Sequence, residues 1–251
     1  MTLRTILKTK GLSKDFTSRS FLKTQKVVAV DHLDLEVFSG EIFGFLGANG
    51  AGKTTTLNML VGITEPTSGT IECFGRPFSS GDTEPLRKIG YVPETTSLPG
   101  YFTVVELLDF YADLFALDRK TRSERITDLL KIFGLAREKN TLIRNLSMGQ
   151  RRLVDFIQAL VNDPDLVLLD EPTVYLDPVI LGRFREILLA LREVGKTIIM
   201  SSHMISFIER LSDRVAIIDR GKLLQVGPKE EFMRRGSMEE EFLRIVKSHA
   251  E

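Results

Sequence analysis

Residues 47 to 54, GANGAGKT, set three glycines, a lysine and a hydroxyl in the spacing GxxxxGK[ST]. They follow an apolar run, EIFGFL, and precede TTLNMLVGI, whose apolar residues recur at helical spacing, so the pattern sits between a strand and a helix as phosphate chemistry requires. Gly47, Gly50 and Gly52 let the backbone curl until its N–H groups converge on phosphate oxygens, and the following helix adds its positive N-terminus. Lys53 supplies a point charge for β- and γ-phosphates, and Thr54 a hydroxyl for Mg²⁺. LVLLDEPT ends a second apolar run in two adjacent acids, Asp170 and Glu171. Asp170 at a strand end is placed to reach Mg²⁺, and Glu171, on the other side of the pleat, to polarise a water for in-line attack on a γ-phosphate. Read alone, Asp-Glu equally begins a polar loop; beside a phosphate loop the functional reading dominates. His203 follows TIIMSS and emerges at the same sheet edge. His32 and His249 have no such context, and no histidine or cysteine cluster suggests zinc.

The elements that must position these groups are legible as periodicity. Val27 to Val37 partly alternates apolar and polar residues, as a strand with one wet face does. TIECFG and Ile89 to Val92 are short strands, and two amphipathic helices are predicted over Tyr101 to Leu117 and Thr121 to Phe133, with Asp118 to Lys120 between them. From residue 150 strands and helices alternate: RRLVDFIQALV helical, LVLLD a buried strand, PVILGRFREILLALREVG helical, TIIMSS a strand, ISFIERL helical, RVAIID a strand. Such alternation implies an α/β fold, a mostly parallel sheet flanked by helices. The half-alternating N-terminal strands add an antiparallel β layer, and the helices between about 100 and 150 form an insertion.

Composition narrows the partners. Lys+Arg and Asp+Glu each total 34, so no net field draws the chain to nucleic acid or to an anionic membrane, and no nucleic-acid partner is expected. One cysteine, Cys73, excludes an internal disulfide framework, and MTLRTILKTKGL lacks the apolar core of a secretory signal, so a reducing, cytoplasmic location is expected. No apolar stretch approaches the length of a membrane span, so any membrane role needs a partner.

In order, these stretches resemble the ATPase subunit of ATP-binding cassette (ABC) transporters over nearly the whole chain. GANGAGKT resembles the Walker A loop of that family, LSMGQ at Leu146 to Gln150 its signature, LVLLDEPT its Walker B strand with the catalytic glutamate, LDP at Leu176 to Pro178 its D-loop, and His203 its switch histidine. Phe16 in LSKDF matches the aromatic that stacks on adenine, and Glu94 in GYVPE stands at the Q-loop position. The resemblance implies one P-loop NTPase domain over residues 1–251: a core of 1–94 and 151–227, a helical subdomain over about 95–150, and a C-terminal helical extension over 228–251. It further implies ATP and Mg²⁺ as cofactors. Nucleotide contacts would come from Phe16, Gly47, Asn49, Gly50, Ala51, Gly52, Lys53, Thr54 and Thr55, and, across a head-to-tail dimer, from Ser147, Gly149 and Gln150 of a second subunit. Thr54, Glu94 and Asp170 would hold the metal, Glu171 and His203 would be catalytic, and Asp177 would touch the second subunit. That subunit is a second copy or a related chain.

Three departures stand out. Met148 replaces the commonest glycine of the signature; its side chain is expected to point away from phosphate unless the backbone there needs a positive φ. Glu94 replaces a glutamine, which keeps an oxygen for the metal but loses the amide donors. Val174 and Tyr175 stand where the family has small residues before LDP. The tail GSMEEEFLRIVKS resembles a terminal helix common in exporters of drugs, lipids or polysaccharides, and equally reads as an amphipathic helix closing the core. The implied activity is ATP hydrolysis powering transport through a separate membrane permease, which would bind Pro93 to Phe102 and hold the chain at the inner face of the cell membrane. The alternative is a soluble single-cassette ATPase with a role such as iron–sulfur cluster assembly.

Overall fold

The structure, a computed structural model, describes residues 4–20, 23–234 and 236–249. Residues 1–3, 21–22, 235 and 250–251, which the reading of one domain over 1–251 includes, lie outside the described residues. The chain opens with strands β1 (Thr5–Ser20) and β2 (Lys23–Phe38), passes through β3 (Ile42–Leu46) into helix α1 (Lys53–Leu60), and returns as β4 (Ser68–Cys73) and β5 (Arg76–Phe78). The short α2 (Thr83–Leu86) leads to β6 (Ile89–Val92), followed by α3 (Val104–Leu114), α4 (Arg119–Phe133) and α5 (Met148–Leu160). Then come β7 (Leu166–Leu169), α6 (Pro178–Glu193), β8 (Thr197–Ser202), α7 (Ile205–Leu211), β9 (Arg214–Asp219), β10 (Lys222–Pro228), α8 (Lys229–Phe232) and α9 (Met238–Ser248).

Two sheets result. The first, antiparallel, has the order β2-β1-β4-β5; the second has the order β10-β9-β3-β8-β7-β6, parallel throughout except for the β9–β10 edge. Successive side chains of a strand point to opposite faces, and the parallel strands are apolar on both. Ile42 and Leu46 of β3, Val167 and Leu169 of β7 and Ile198 and Met200 of β8 join a core with α3 to α7. Phe43, Phe45, Leu166, Leu168 and Ile199 join a second core with α1 and the antiparallel sheet. A buried phenylalanine such as Phe43, truncated to alanine, would cost about 3–5 kcal/mol.

The expected α/β architecture is the observed one, with differences in detail. Three strands escape the periodicity reading, among them the three-residue β5, too short to show a period. Residues 5–20 have only broken alternation because the β1–β2 ladder carries several register shifts, and β10 is an edge hairpin strand with mixed exposure. The helix expected over Tyr101 to Leu117 is shorter, since Thr103 and Glu106 form a reciprocal capping box that starts α3 at Val104. The helix expected from Thr121 starts at Arg119, because the Asp118 side chain accepts from Lys120 N and Thr121 N. The helix expected from Gln150 starts at Met148 for the same kind of reason, with Ser147 as its N-cap. Met148 therefore has helical backbone, is not among the residues with positive φ, and is 48% exposed. The amphipathic tail helix is α9, which buries Met238 and Ile245 against the helical core.

Candidate nucleotide site

Parallel strands deliver their carboxyl ends to one sheet edge, and there the motif residues meet. Leu46 at the end of β3 leads into the glycine loop, Val92 of β6 into Pro93 and Glu94, Leu169 of β7 into Asp170 and Glu171, and Ser202 of β8 into His203. A cavity of about 330 Å³ opens at that edge, lined by Ala29, Asn49, Gly50, Ala51, Gly52, Lys53, Thr54, Thr55, Glu94 and Glu171. A larger cleft, about 460 Å³, lies beside Arg76 and Lys88 at the amino ends of the same strands and contains none of the motif residues.

Gly52, at φ 106°, is the left-handed N-cap of α1, and a Cβ there would collide with the Ala29 carbonyl. No side chain caps this helix, so its leading N–H groups remain available to an anion. Lys53 is buried; its ammonium donates to the carbonyls of Gly47 at 2.7 Å and Ala48 at 3.1 Å and pairs with Glu171 Oε1 at 3.1 Å. The other Glu171 oxygen, Oε2, lies 2.8 Å from His203 Nδ1 and accepts from the His203 backbone N–H at 3.3 Å. Glu171 itself sits at φ 44°, an uncommon conformation for a non-glycine residue, with its N–H donating to Ser201 Oγ at 2.9 Å.

Asp170 is fully buried. Burial pushes its carboxyl above the usual range, and the Glu171 charge pushes the same way, against the hydrogen bond from Ser201, the nearby Thr54 hydroxyl and the Lys53 charge that pull it down. Ser201 Oγ donates to Asp170 Oδ1 at 2.5 Å, while Oδ2, also buried, has no hydrogen-bond partner among the described residues. An orphaned buried carboxylate oxygen beside a threonine hydroxyl is a donor set that suits a hard, oxygen-seeking cation. Among the described residues no group of three or more His, Cys, Asp or Glu is placed to hold a metal ion.

The remaining candidates stand apart. Ser147, Gly149 and Gln150 lie at the start of α5 and do not line the cavity. Ser147 Oγ accepts from Gln150 N at 3.2 Å and Ser147 N donates to Gln150 Oε1 at 3.0 Å, a closed capping box, while Gln150 Nε2 donates to Glu138 at 3.4 Å. A Cβ on Gly149 would stand 3.2 Å from the Tyr175 carbonyl, so this glycine lets the 174–176 loop approach the helix. Tyr175, at φ 69°, is itself left-handed and half exposed. Asp177 is the N-cap of α6, accepting from Val179 N and Ile180 N at 2.9 Å. Phe16 of β1 is 45% exposed, pairs with Val27 and has the Lys14 ammonium 5.2 Å from its ring centroid; it lies outside the cavity lining, two residues along the ladder from Ala29, which belongs to it. Cys73 is buried and its thiol is pushed up to about 12 by desolvation, so it takes no part.

Two buried polar residues escape motif reading. Ser201 holds both Asp170 and Glu171, and Arg152 of α5 donates to the carbonyls of Pro93, Asp170 and Glu171. The available signals were polar residues in stretches whose neighbours are apolar: a serine closing the apolar strand TIIMSS and an arginine on the inward face of RRLVDFIQALV.

The ABC transporter family profile matches residues 30–174, more than half the chain. The chain belongs to that family. It is similar to a bacitracin transport ATP-binding protein of Bacillus licheniformis, 39% identical over 96% of this chain and 75% of the relative, and to a Nod factor export ATP-binding protein of Cupriavidus metallidurans, 40% identical over 82% of this chain and 68% of that one. A dimeric ATP-binding cassette solved in a post-hydrolysis state, bound to ADP and Pi, superposes with a TM-score of 0.81 at 25% identity, covering 89% of this chain and 99% of its own. The chain is thus an ABC ATPase that binds and hydrolyses ATP. No helix among the described residues is long and apolar enough to cross a membrane.

Proposed function

We propose that this ABC ATPase drives export: two copies close around two MgATP, and the closure is transmitted to a separate membrane permease that keeps the chain peripheral on the cytoplasmic face of the membrane. The observation that carries this reading is the splitting of the motif residues. Lys53, Thr54, Asp170 and Glu171 gather at one cavity, while Ser147 and Gly149 are presented elsewhere on the same chain. Only a second copy brings the two sets to one nucleotide. The transport names of the relatives speak for a permease partner, and the soluble single-cassette alternative is not favoured.

In this reading Gly47 to Thr55 cradle the phosphates and Phe16 stacks on adenine. Mg²⁺ would be held by Thr54, Asp170 and Glu94, with the phosphates, and supplies charge neutralisation at the transferring phosphoryl group when bound. ATP takes Lys53 away from the Gly47 and Ala48 carbonyls and from Glu171. That frees one carboxylate oxygen, while His203 keeps hold of the other and orients it, and the free oxygen accepts the proton of the attacking water. Ser147, Gly149 and Gln150 of the second copy close the γ-phosphate side, and Asp177 meets that copy near the loop it caps. The proposed division runs 1–94 and 151–227 for the core, about 95–150 for the helical part and 228–251 for the extension; its second boundary passes through α5, which then belongs to both parts.

The permease surface is read from a run of aromatics in which Tyr101 and Phe110 are exposed and Phe102 and Tyr111 are partly buried. Tyr101 is 77% exposed and continues into Phe102, Phe110 and Tyr111, with successive ring centroids 6.0, 6.3 and 5.6 Å apart. A run of this kind beside the Glu94 loop suits an apolar segment of a membrane partner. The decisive experiment is Glu171→Gln, which removes the base and keeps every phosphate ligand. The variant should bind ATP, turn over at least about a hundredfold more slowly and accumulate as a dimer in light scattering. A monomer with normal turnover would overturn the reading, and co-purification with a multi-spanning membrane protein tests the transport half.

A further inference from the structure

Arg152 is the bulkiest fully buried side chain of the described residues, 0% exposed. A buried guanidinium is costly unless most of its donors are taken up. Here the two terminal nitrogens are taken up by backbone: Nη2 donates to the carbonyls of Asp170 at 2.9 Å and Glu171 at 3.2 Å, and Nη1 to the carbonyl of Pro93, while Nε has no hydrogen-bond partner among the described residues. The Phe156 ring lies 5.3 Å from the guanidinium, and Asp155 Oδ2 is 3.9 Å from Nη1. Bonds to carbonyls fix where the chain runs rather than neutralise a charge.

Three segments therefore meet on one side chain. The first is α5, whose first residue follows Ser147. The second is the turn after β6, where the Pro93 carbonyl is peptide-bonded to Glu94. The third is the end of β7, where Glu171 holds a positive φ. Left-handed non-glycine residues persist only where the surroundings over-determine them. Ser201 Oγ accepts the Glu171 N–H, and Arg152 takes the carbonyls of the peptides before and after Glu171, so the two side chains fix the residue together. Lysine cannot substitute, because a single ammonium on a flexible stem does not reproduce a planar fork that reaches three acceptors.

We propose that Arg152 is a positioning residue for hydrolysis: its guanidinium holds the Asp170–Glu171 backbone so that Glu171 faces the attacking water, and ties that backbone to Pro93, so that displacement of the Glu94 loop displaces the base. The proposal rests on the reading of Glu171 as the base. It also gives the buried acid beside Arg152 a place. Burial pushes the Asp155 carboxyl up to about 6, against the Thr96 hydroxyl and Arg152 that pull it down, and Thr96 belongs to that same loop.

Two variants test this. Arg152→Lys keeps the charge and loses the fork; Arg152→Gln with Asp155→Asn removes both charges and leaves no buried ion alone. Both should still unfold cooperatively, at a lower midpoint than wild type because buried carbonyls lose their donors, and bind ATP within about twofold of wild type when assayed below that midpoint, while kcat falls about tenfold or more, the equivalent of about 1.4 kcal/mol of transition-state stabilisation. A loss in kcat without a loss in ATP affinity is what general destabilisation would not produce. A folded variant with wild-type kcat overturns the proposal. If neither variant folds, the Arg152 guanidinium resonances of the wild-type chain, followed by ¹⁵N NMR, decide: they should move on adding MgATP, and unmoved resonances overturn it. Normal turnover in Glu171→Gln would remove the base reading itself, whereas a slow Glu171→Gln beside wild-type Arg152 variants removes only the role given to Arg152.

Discussion

Helices α1 and α5, whose N-termini are both proposed to meet phosphate, are finished in opposite ways. The first turn of α1 has a glycine N-cap and no side-chain cap among the described residues, so its leading N–H groups are held open. The first turn of α5 is closed on itself by Ser147 and Gln150. An N-cap of this kind contributes about 1 kcal/mol, and an open helix end is left to whatever anion replaces it. One end is therefore open to a ligand, and the other is stable by itself; in the proposed dimer it would exchange its cap for a phosphate held by the second copy. The glycine loop also shares its lysine with Glu171, whereas among the described residues no comparable ion pair engages the signature end.

The comparison can be broken most severely at Lys53. Lys53→Ala removes the ammonium shared by the loop carbonyls and Glu171, and ATPase activity of the purified variant should fall by about a hundredfold or more, with ATP binding weakened in the same assay. Undiminished turnover would mean that the open end of α1 is not the phosphate site. Ser147→Asp sharpens the difference. Aspartate caps a helix as well as serine does, so the melting temperature should hold, but its carboxylate would oppose the partner's γ-phosphate, and turnover should fall by at least about tenfold while a single chain still binds ATP. Equal activity in Ser147→Asp and wild type would reduce LSMGQ to a helix cap.

Glu94 lines the α1 cavity and adds a negative charge next to the expected polyanion. Glu94→Gln should leave the fold unchanged and tighten ATP binding by up to about 1 kcal/mol, with turnover altered mainly in the presence of permease. Weaker ATP binding in calorimetry would show that the carboxylate is needed as a metal ligand. The smallest effect is expected at Met148, exposed in the first turn of α5. Met148→Gly should change turnover by no more than about threefold, and should lower stability by at most about 1 kcal/mol through lost helix propensity. A collapse of activity would give the thioether a packing role that its exposure does not suggest.

By itself the sequence determined the chemistry and the order of its parts. GANGAGKT, LSMGQ, LVLLDEPT and His203 are local patterns, and their spacing between strand and helix periods was enough to place Lys53, Asp170, Glu171 and His203 at one sheet edge. The capping boxes are equally local, since Thr103 with Glu106 and Ser147 with Gln150 are separated by a single helical turn. What only the tertiary structure decided are the partners that the chain brings together from far apart: Ser201 on Asp170 and Glu171, Lys53 on Glu171, and Arg152 on Pro93 and on the end of β7. The physical reason is that a period or a motif reports what a residue does within a turn or a strand. Which distant carbonyl a buried guanidinium meets, and whether a glutamate must take a left-handed backbone to face a water, depends on how sheets and helices close over one another.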